Sequence, residues 1–268
     1  MGDLLASNLF LYLYFVKRKR IYAVFLILIS WCATSCDSVI EPPADMGFNY
    51  FPLKPGMYII YDVDSFYIDC QYDIYDTLHF QLKEKLDTFF IDGTGKPAMR
   101  IERYARNNSS SNWQIRDVWW ADTLSTRAIK TEENMKYVKL IFPPIEGEQW
   151  NGNAYNSITD WNFLYRYESV DKPYSIGVMN FDSTASVLQQ SIQNLLTYKY
   201  QVEKYARHIG LIYRIKIDVE GISNSNPTLY DPCEEKLPTD ILWTQVPIMQ
   251  RIKIGSYWEQ RIQSYGIE

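Results

Sequence analysis

Histidine is nearly absent from this chain, with only His79 and His208 among 268 residues. So few limit any histidine-based metal centre or triad. His79 falls on the polar side of an alternating stretch and reads as solvated, and His208 reads as the cationic end of a short helix before Gly210. The usual local signatures of catalysis are missing as well. No His-Glu-x-x-His, Gly-x-Ser-x-Gly, phosphate-loop or dinucleotide pattern occurs. The turn Asp92-Gly93-Thr94-Gly95 lacks the further acids of a calcium loop. Basic charge is also short. Residues 1–35 hold four basic groups (Lys17, Arg18, Lys19 and Arg20) and one acid, Asp3. Setting these aside from 27 basic and 32 acidic residues leaves 23 against 31, a net charge of -8 on the remainder. That balance excludes a nucleic-acid surface, which needs a basic footprint, and a polybasic contact with anionic lipid.

Long apolar runs are rare too, and the informative one is N-terminal. Lys17–Arg20 precede eleven mostly apolar residues, Ile21–Trp31, too short for a relaxed membrane-spanning helix. Small residues then lead to a cysteine in Ala33-Thr34-Ser35-Cys36. This arrangement resembles the bacterial lipobox, with Ala33 in place of the usual Leu and Ser35 in place of Gly or Ala. The resemblance implies a signal peptide over 1–35 and lipidation of Cys36. An ordinary membrane anchor, or cleavage without lipid, is the alternative. The apolar run Leu4–Val16 lies before the basic cluster, and removing it leaves a standard signal with a start near Val16. Residues 36–47, with Pro42, Pro43 and acids, have tether chemistry, and some twelve residues reach about 40 Å at most.

Residues 48–268 read as one domain, all-β and mainly antiparallel. The clearest alternation is 211–220, where Leu211, Tyr213, Ile215, Ile217 and Val219 oppose Arg214, Lys216, Asp218 and Glu220. Tyr198, Tyr200 and Val202 repeat it, as do Trp161, Phe163, Tyr165 and Tyr167, and Leu78, Phe80 and Leu82. Further strands are expected at 57–63, 98–105, 113–121, 135–142 and 257–265. One wet face per strand indicates antiparallel pairing, and about ten such strands must form a curved sheet, a partial barrel or a two-layer sandwich. Short helices are expected at Glu203–His208 and Val187–Leu196, and a long loop at Ser223–Asp240. The inward set is bulky and uncharged (Tyr198, Tyr200, Val202, Tyr213, Ile215, Ile217, Trp161 and Phe163), which predicts a solid aromatic core rather than a catalytic cleft.

Several motifs occur in a suggestive order: Tyr50-Phe51-Pro52-Leu53-Lys54-Pro55-Gly56, Arg100-Ile101-Glu102-Arg103-Tyr104, Val138-Lys139-Leu140-Ile141-Phe142-Pro143, Trp150-Asn151-Gly152-Asn153, and Tyr205-Ala206-Arg207-His208-Ile209-Gly210-Leu211-Ile212-Tyr213. Together they resemble a family of uncharacterised lipoproteins of Bacteroidota, over roughly residues 48–265. The resemblance implies a lipid-anchored, secreted setting and brings no established activity. It also implies O-glycosylation at Asp-Ser/Thr tripeptides, with Ser38, Thr77, Thr123 and Ser183 as candidates. On local grounds Gly152 serves a turn of positive φ, Gly210 ends a helix, and Trp150, Trp161 and Tyr205 are packing residues.

Export would place Cys70 and Cys233 in an oxidising compartment, and a disulfide between them would pin the long loop to the sheet. The enclosed span is long enough for roughly 5 kcal/mol in chain-entropy models. Carboxylates are plentiful, and a pair such as Glu102 with Asp117 meeting across a sheet is the arrangement a glycosidase would need. The expected function is a non-catalytic, membrane-anchored lipoprotein of the cell envelope, at the outer membrane, requiring no metal or cofactor. Its partner is an apolar ligand or an envelope protein, with no nucleic acid. A hydrolase of envelope material or glycans, using paired carboxylates, is the alternative.

Overall fold

The computed structural model describes residues 45–158, 164–221, 247–250 and 252–268. Cys36, Ser38, Trp161, Phe163, Cys233 and the loop 223–240 lie outside the described residues. The described part belongs to one compact unit, Asp45–Glu268. It begins slightly before the expected boundary at 48 because Asp45 is ion-paired to Arg207.

Twelve antiparallel strands make a single sheet: β1 (Met57–Asp69), β2 (Ile74–Ile91), β3 (Pro97–Arg106), β4 (Gln114–Leu124), β5 (Arg127–Glu132), β6 (Met135–Ile141), β7 (Gln149–Asn151), β8 (Leu164–Ile176), β9 (Met179–Gln193), β10 (Thr197–Ala206), β11 (Gly210–Gly221) and β12 (Ile252–Ile267). Their spatial order is β6-β5-β4-β3-β2-β1-β12-β11-β10-β9-β8-β7. Every sequence neighbour is therefore a spatial neighbour except β6 and β7, while β1 and β12 join the two halves. The sheet curls until those outer strands approach. Val138 N–H donates to Gly152 O at 2.9 Å, and the Trp150 indole N–H donates to Val138 O at 2.8 Å. The result is a nearly closed barrel, the partial barrel among the three arrangements that the alternation left open. Closure suits this chain because an open sheet of twelve strands leaves edges to cover.

Both expected helices are strands. Val187 lies in β9 and Glu203 in β10, each paired on both sides. Helical spacing in such short apolar runs does not separate a helix from a buried strand, and ladder bonds on two flanks decide the matter. Among the described residues, helical structure is confined to single 3-10 turns at Phe48–Tyr50 and Ile248–Gln250.

The face expected to point inward in β10 and β11 points outward. Lys204 pairs with Tyr213 but Tyr205 pairs with Leu211, so Ile212 is an extra residue in β11. A bulge of this kind reverses the phase of all that follows. Arg214, opposite Glu203 and Gln260, faces the interior, while Tyr198, Tyr200, Ile215 and Ile217 form an outer cluster with Phe66, Val219, Tyr257 and Ile248. Inside, Tyr50, Leu140, Phe142, Trp150, Tyr165, Tyr167 and Tyr205 pack at the seam, and Trp150 lies 4.8 Å from Tyr167. Trp150 and Tyr205 are thus packing residues, as expected.

Candidate functional site

Seven strands, β2 to β6 with β10 and β11, supply charge to the barrel interior. A barrel much wider than eight strands is not filled by apolar side chains from opposite walls. Here long charged side chains span the gap. Glu84 on β2 accepts from Arg103 Nε at 3.1 Å and Lys130 Nζ at 2.8 Å. Arg103 also grips Asp117 of β4 with Nη1 2.9 Å from both carboxylate oxygens, and its guanidinium stacks on Trp119 at 3.4 Å. Across the barrel, Glu203 of β10 accepts from Lys139 at 2.9 Å and from Arg214 Nε at 2.8 Å, while Arg214 Nη2 reaches Glu132 at 2.7 Å. Lys139 lies 3.3 Å from Glu132 as well, and Lys130, 3.8 Å from the same carboxylate, joins the two halves. Tyr205 Oη donates to Glu203 Oε2 at 2.5 Å.

Arg103, Lys130, Lys139 and Arg214 therefore face Glu84, Asp117, Glu132 and Glu203, so the network carries no net charge. Burial pushes each glutamate towards its neutral form, but the adjacent cations win: Glu84, Glu132 and Glu203 are all held below the ordinary carboxylate range. Arg214 is correspondingly driven upward by Glu132 and Glu203 against its desolvation. Burial also raises Tyr61 and Tyr205 well above ordinary phenols. The core is thus aromatic at the seam and ionic at the centre, not the uncharged solid that the composition suggested.

One small pocket, about 60 Å³, reaches this network. Phe51, Pro52 and Leu53, which precede β1, line it together with Ile59, Leu86, Ile101 and Leu211, and Glu84, Lys130, Arg214, Tyr61 and Tyr205 form its polar part. Among the described residues, Glu84 is the only carboxylate lining it. Asp122, whose carboxyl burial pushes upward, stands on β4 and does not line the pocket.

The expected Glu102–Asp117 pair does not form. Asp117 pairs with Arg103 and Glu102 with Val118, so alternation sends the two acids to opposite faces. Glu102 instead accepts from Tyr104 Oη at 2.6 Å. His79 stands on the outer face, its Nδ1 2.7 Å from Asp64 Oδ1. His208 occupies the β10–β11 turn at φ 65° rather than a helix end, and Gly210, at φ 100°, opens β11. Gly152 needs no positive φ. It lacks a side chain because a Cβ there would lie 2.3 Å from the Tyr165 ring.

Cys70 is disulfide-bonded and buried just past β1. Thr77 and Thr123 are exposed on β2 and β4. Ser183 is less open: its hydroxyl is 2.6 Å from Asp171, 2.7 Å from Tyr50 Oη and 2.9 Å from Arg207 Nε. These contacts tie the segment before β1 to β8, β9 and the β10–β11 turn, and their donors hold Asp171 down at about 2 despite its partial burial. The central ion network was missed because its members looked like solvated faces of alternating strands. The one available signal was charge of both signs recurring at like phase in several strands.

Among the described residues no helix is long and apolar enough to cross a membrane, and no cluster of three or more His, Cys, Asp or Glu is placed to hold a metal. Comparison with family models, with curated proteins and with solved structures finds no match to this chain.

Proposed function

We propose that the mature chain is a non-catalytic binding module of the cell envelope, lipid-anchored through Cys36 at the outer membrane, whose barrel receives a slim apolar ligand. The observation that carries this reading is the pocket's chemistry. Its walls are apolar, and Glu84, the one carboxylate among the described lining residues, is locked between Arg103 and Lys130, which hold it below the ordinary carboxylate range. A glycosidase needs two carboxyl groups with separated roles, one of them kept protonated. Glu84 has no such partner in the pocket. The charged groups that line it belong to a network with no net charge, each already paired, which suits an aliphatic chain end more than a charged group. The lipobox-like signal and the likeness to Bacteroidota lipoproteins support the envelope setting.

The test is organic extraction of the native lipidated protein, purified from membranes, followed by mass spectrometry. An aliphatic compound should co-purify with the wild type and be lost from Ile59→Trp, which fills the pocket. Turnover of glycan or peptidoglycan by the wild type, abolished in Glu84→Gln, would overturn the reading.

A further inference from the structure

The β2–β3 hairpin stands proud of its neighbour β1 at the end where the chain enters the barrel. Gly56 N–H donates to Leu86 O at 2.7 Å, so β1 starts level with Leu86. β2 continues to Ile91, five residues or about 17 Å further. A bulge between Leu86 and Phe89 marks the departure. On this extension Phe89, Phe90 and Ile91 are 48%, 37% and 67% exposed. Consecutive strand residues face opposite ways, so the part of β2 that runs past β1 is apolar on both sides. An apolar cluster presented in this manner marks an interaction surface.

The same end receives the N-terminal segment. Asp45 ion-pairs with Arg207 in the β10–β11 turn, and Gly47 packs against Pro144 after β6. The nine residues from Cys36 to Asp45 span about 32 Å at most. A lipid on Cys36 therefore keeps this end, and not the opposite one, beside the bilayer. We infer that Phe89, Phe90 and Ile91 dock the hairpin into the surface of the membrane that carries the lipid and orient the barrel with this end towards it. The inference rests on the lipid-anchor reading of Cys36.

Aromatic side chains settle at the level of the lipid headgroups, and a tether this short keeps the hairpin at high effective concentration there. The turn beyond them is compatible with that depth. Asp92 Oδ1 accepts from Thr94 N, Thr94 Oγ1 and Lys96 N at 2.7–3.0 Å, so its charge is hydrogen-bonded within the turn, and exposed Lys96 can meet an anionic headgroup.

The experiment uses the full lipidated chain in vesicles of phosphatidylethanolamine and phosphatidylglycerol with brominated acyl chains. An environment-sensitive fluorophore is attached through Ile91→Cys or, at the opposite end, Ser110→Cys. The label at 91 should lose most of its fluorescence to bromine quenching and the label at 110 should keep it. Adding Phe89→Ser and Phe90→Ser should relieve the quenching at 91 while circular dichroism stays unchanged, since these side chains are exposed. Equal, weak quenching at both positions, with acyl chains on Cys36 by mass spectrometry, overturns the docking and leaves the anchor standing. A mature Cys36 without acyl chains overturns the anchor reading itself, and the inference with it.

Discussion

Arg214 occupies a position that alternation assigns to solvent, yet its side chain is only 14% exposed and packs against Glu203 and Glu132. Desolvating a guanidinium costs several kcal/mol, and the cost is offset here only because two carboxylates meet it. Removing it leaves both acids uncompensated. Arg214→Met should therefore destabilise the fold by about 3–5 kcal/mol, read as a lower urea midpoint at unchanged slope. A loss below ~1 kcal/mol would mean the network is wetter than its geometry indicates. The pH dependence follows from the same residues. Glu84, Glu132 and Glu203 have folded values below their ordinary 4.5. As pH falls through 4.5 the unfolded chain takes up protons first, so their contribution is complete above that pH and fades below it. Tyr61, Tyr165, Tyr167 and Tyr205 are raised above 10.0, so their contribution is complete below pH 10 and fades as pH rises past it. Melting temperatures across the range should form a plateau between these limits, and a maximum confined to acid pH would contradict the assignment.

At the level of elements, two glycines set how closely strands approach. Gly255 in β12 sits at φ 149°, and a Cβ there would come within 2.3 Å of Asp218 O and 2.6 Å of Val219 Cα. Both are backbone atoms that cannot step aside. Gly152, beside the three-residue β7, faces the Tyr165 ring in the same way. Gly255→Ala should cost more than Gly152→Ala, about 3 kcal/mol against 1–3 kcal/mol, because a ring can rotate and a ladder cannot. Thermal denaturation of the two variants compares them directly, and the reverse order would contradict this account. The element boundaries were legible where alternation was unbroken, as in 98–105 and 113–121. They were not legible in β9, where Ser, Gln and Ala interrupt the apolar period and a weak helix pattern results.

At the scale of the whole molecule, the barrel is firmly joined on one side and lightly joined on the other. β1 pairs with β12 over its full length, whereas among the described residues β6 meets the β7 region through few hydrogen bonds. Opening should begin at that seam. Amide exchange is expected to be slowest in β1, β2, β11 and β12 and fastest in β6 and β7. Protection at the seam equal to that of the β1–β12 ladder would indicate a fully closed barrel. The ion network bears on this as well, since Lys139 of β6 is held by Glu203 of β10 across the interior.

The amino-acid sequence by itself determined the antiparallel, all-β character, because period-two alternation and turn residues act within a few positions of one another. It also marked Trp150 and Tyr205 as packing residues, and it put Glu102 and Asp117 on adjacent strands. Tertiary structure decided which face of each strand became the inside. A single extra residue at Ile212 reverses that choice for the rest of β11, and nothing local to 211–220 announces it. Closure decided the rest. Lys130, Lys139, Glu203 and Arg214 are ordinary solvated side chains on an open strand. They become partners only when the curling sheet brings its walls within reach and removes the water between them.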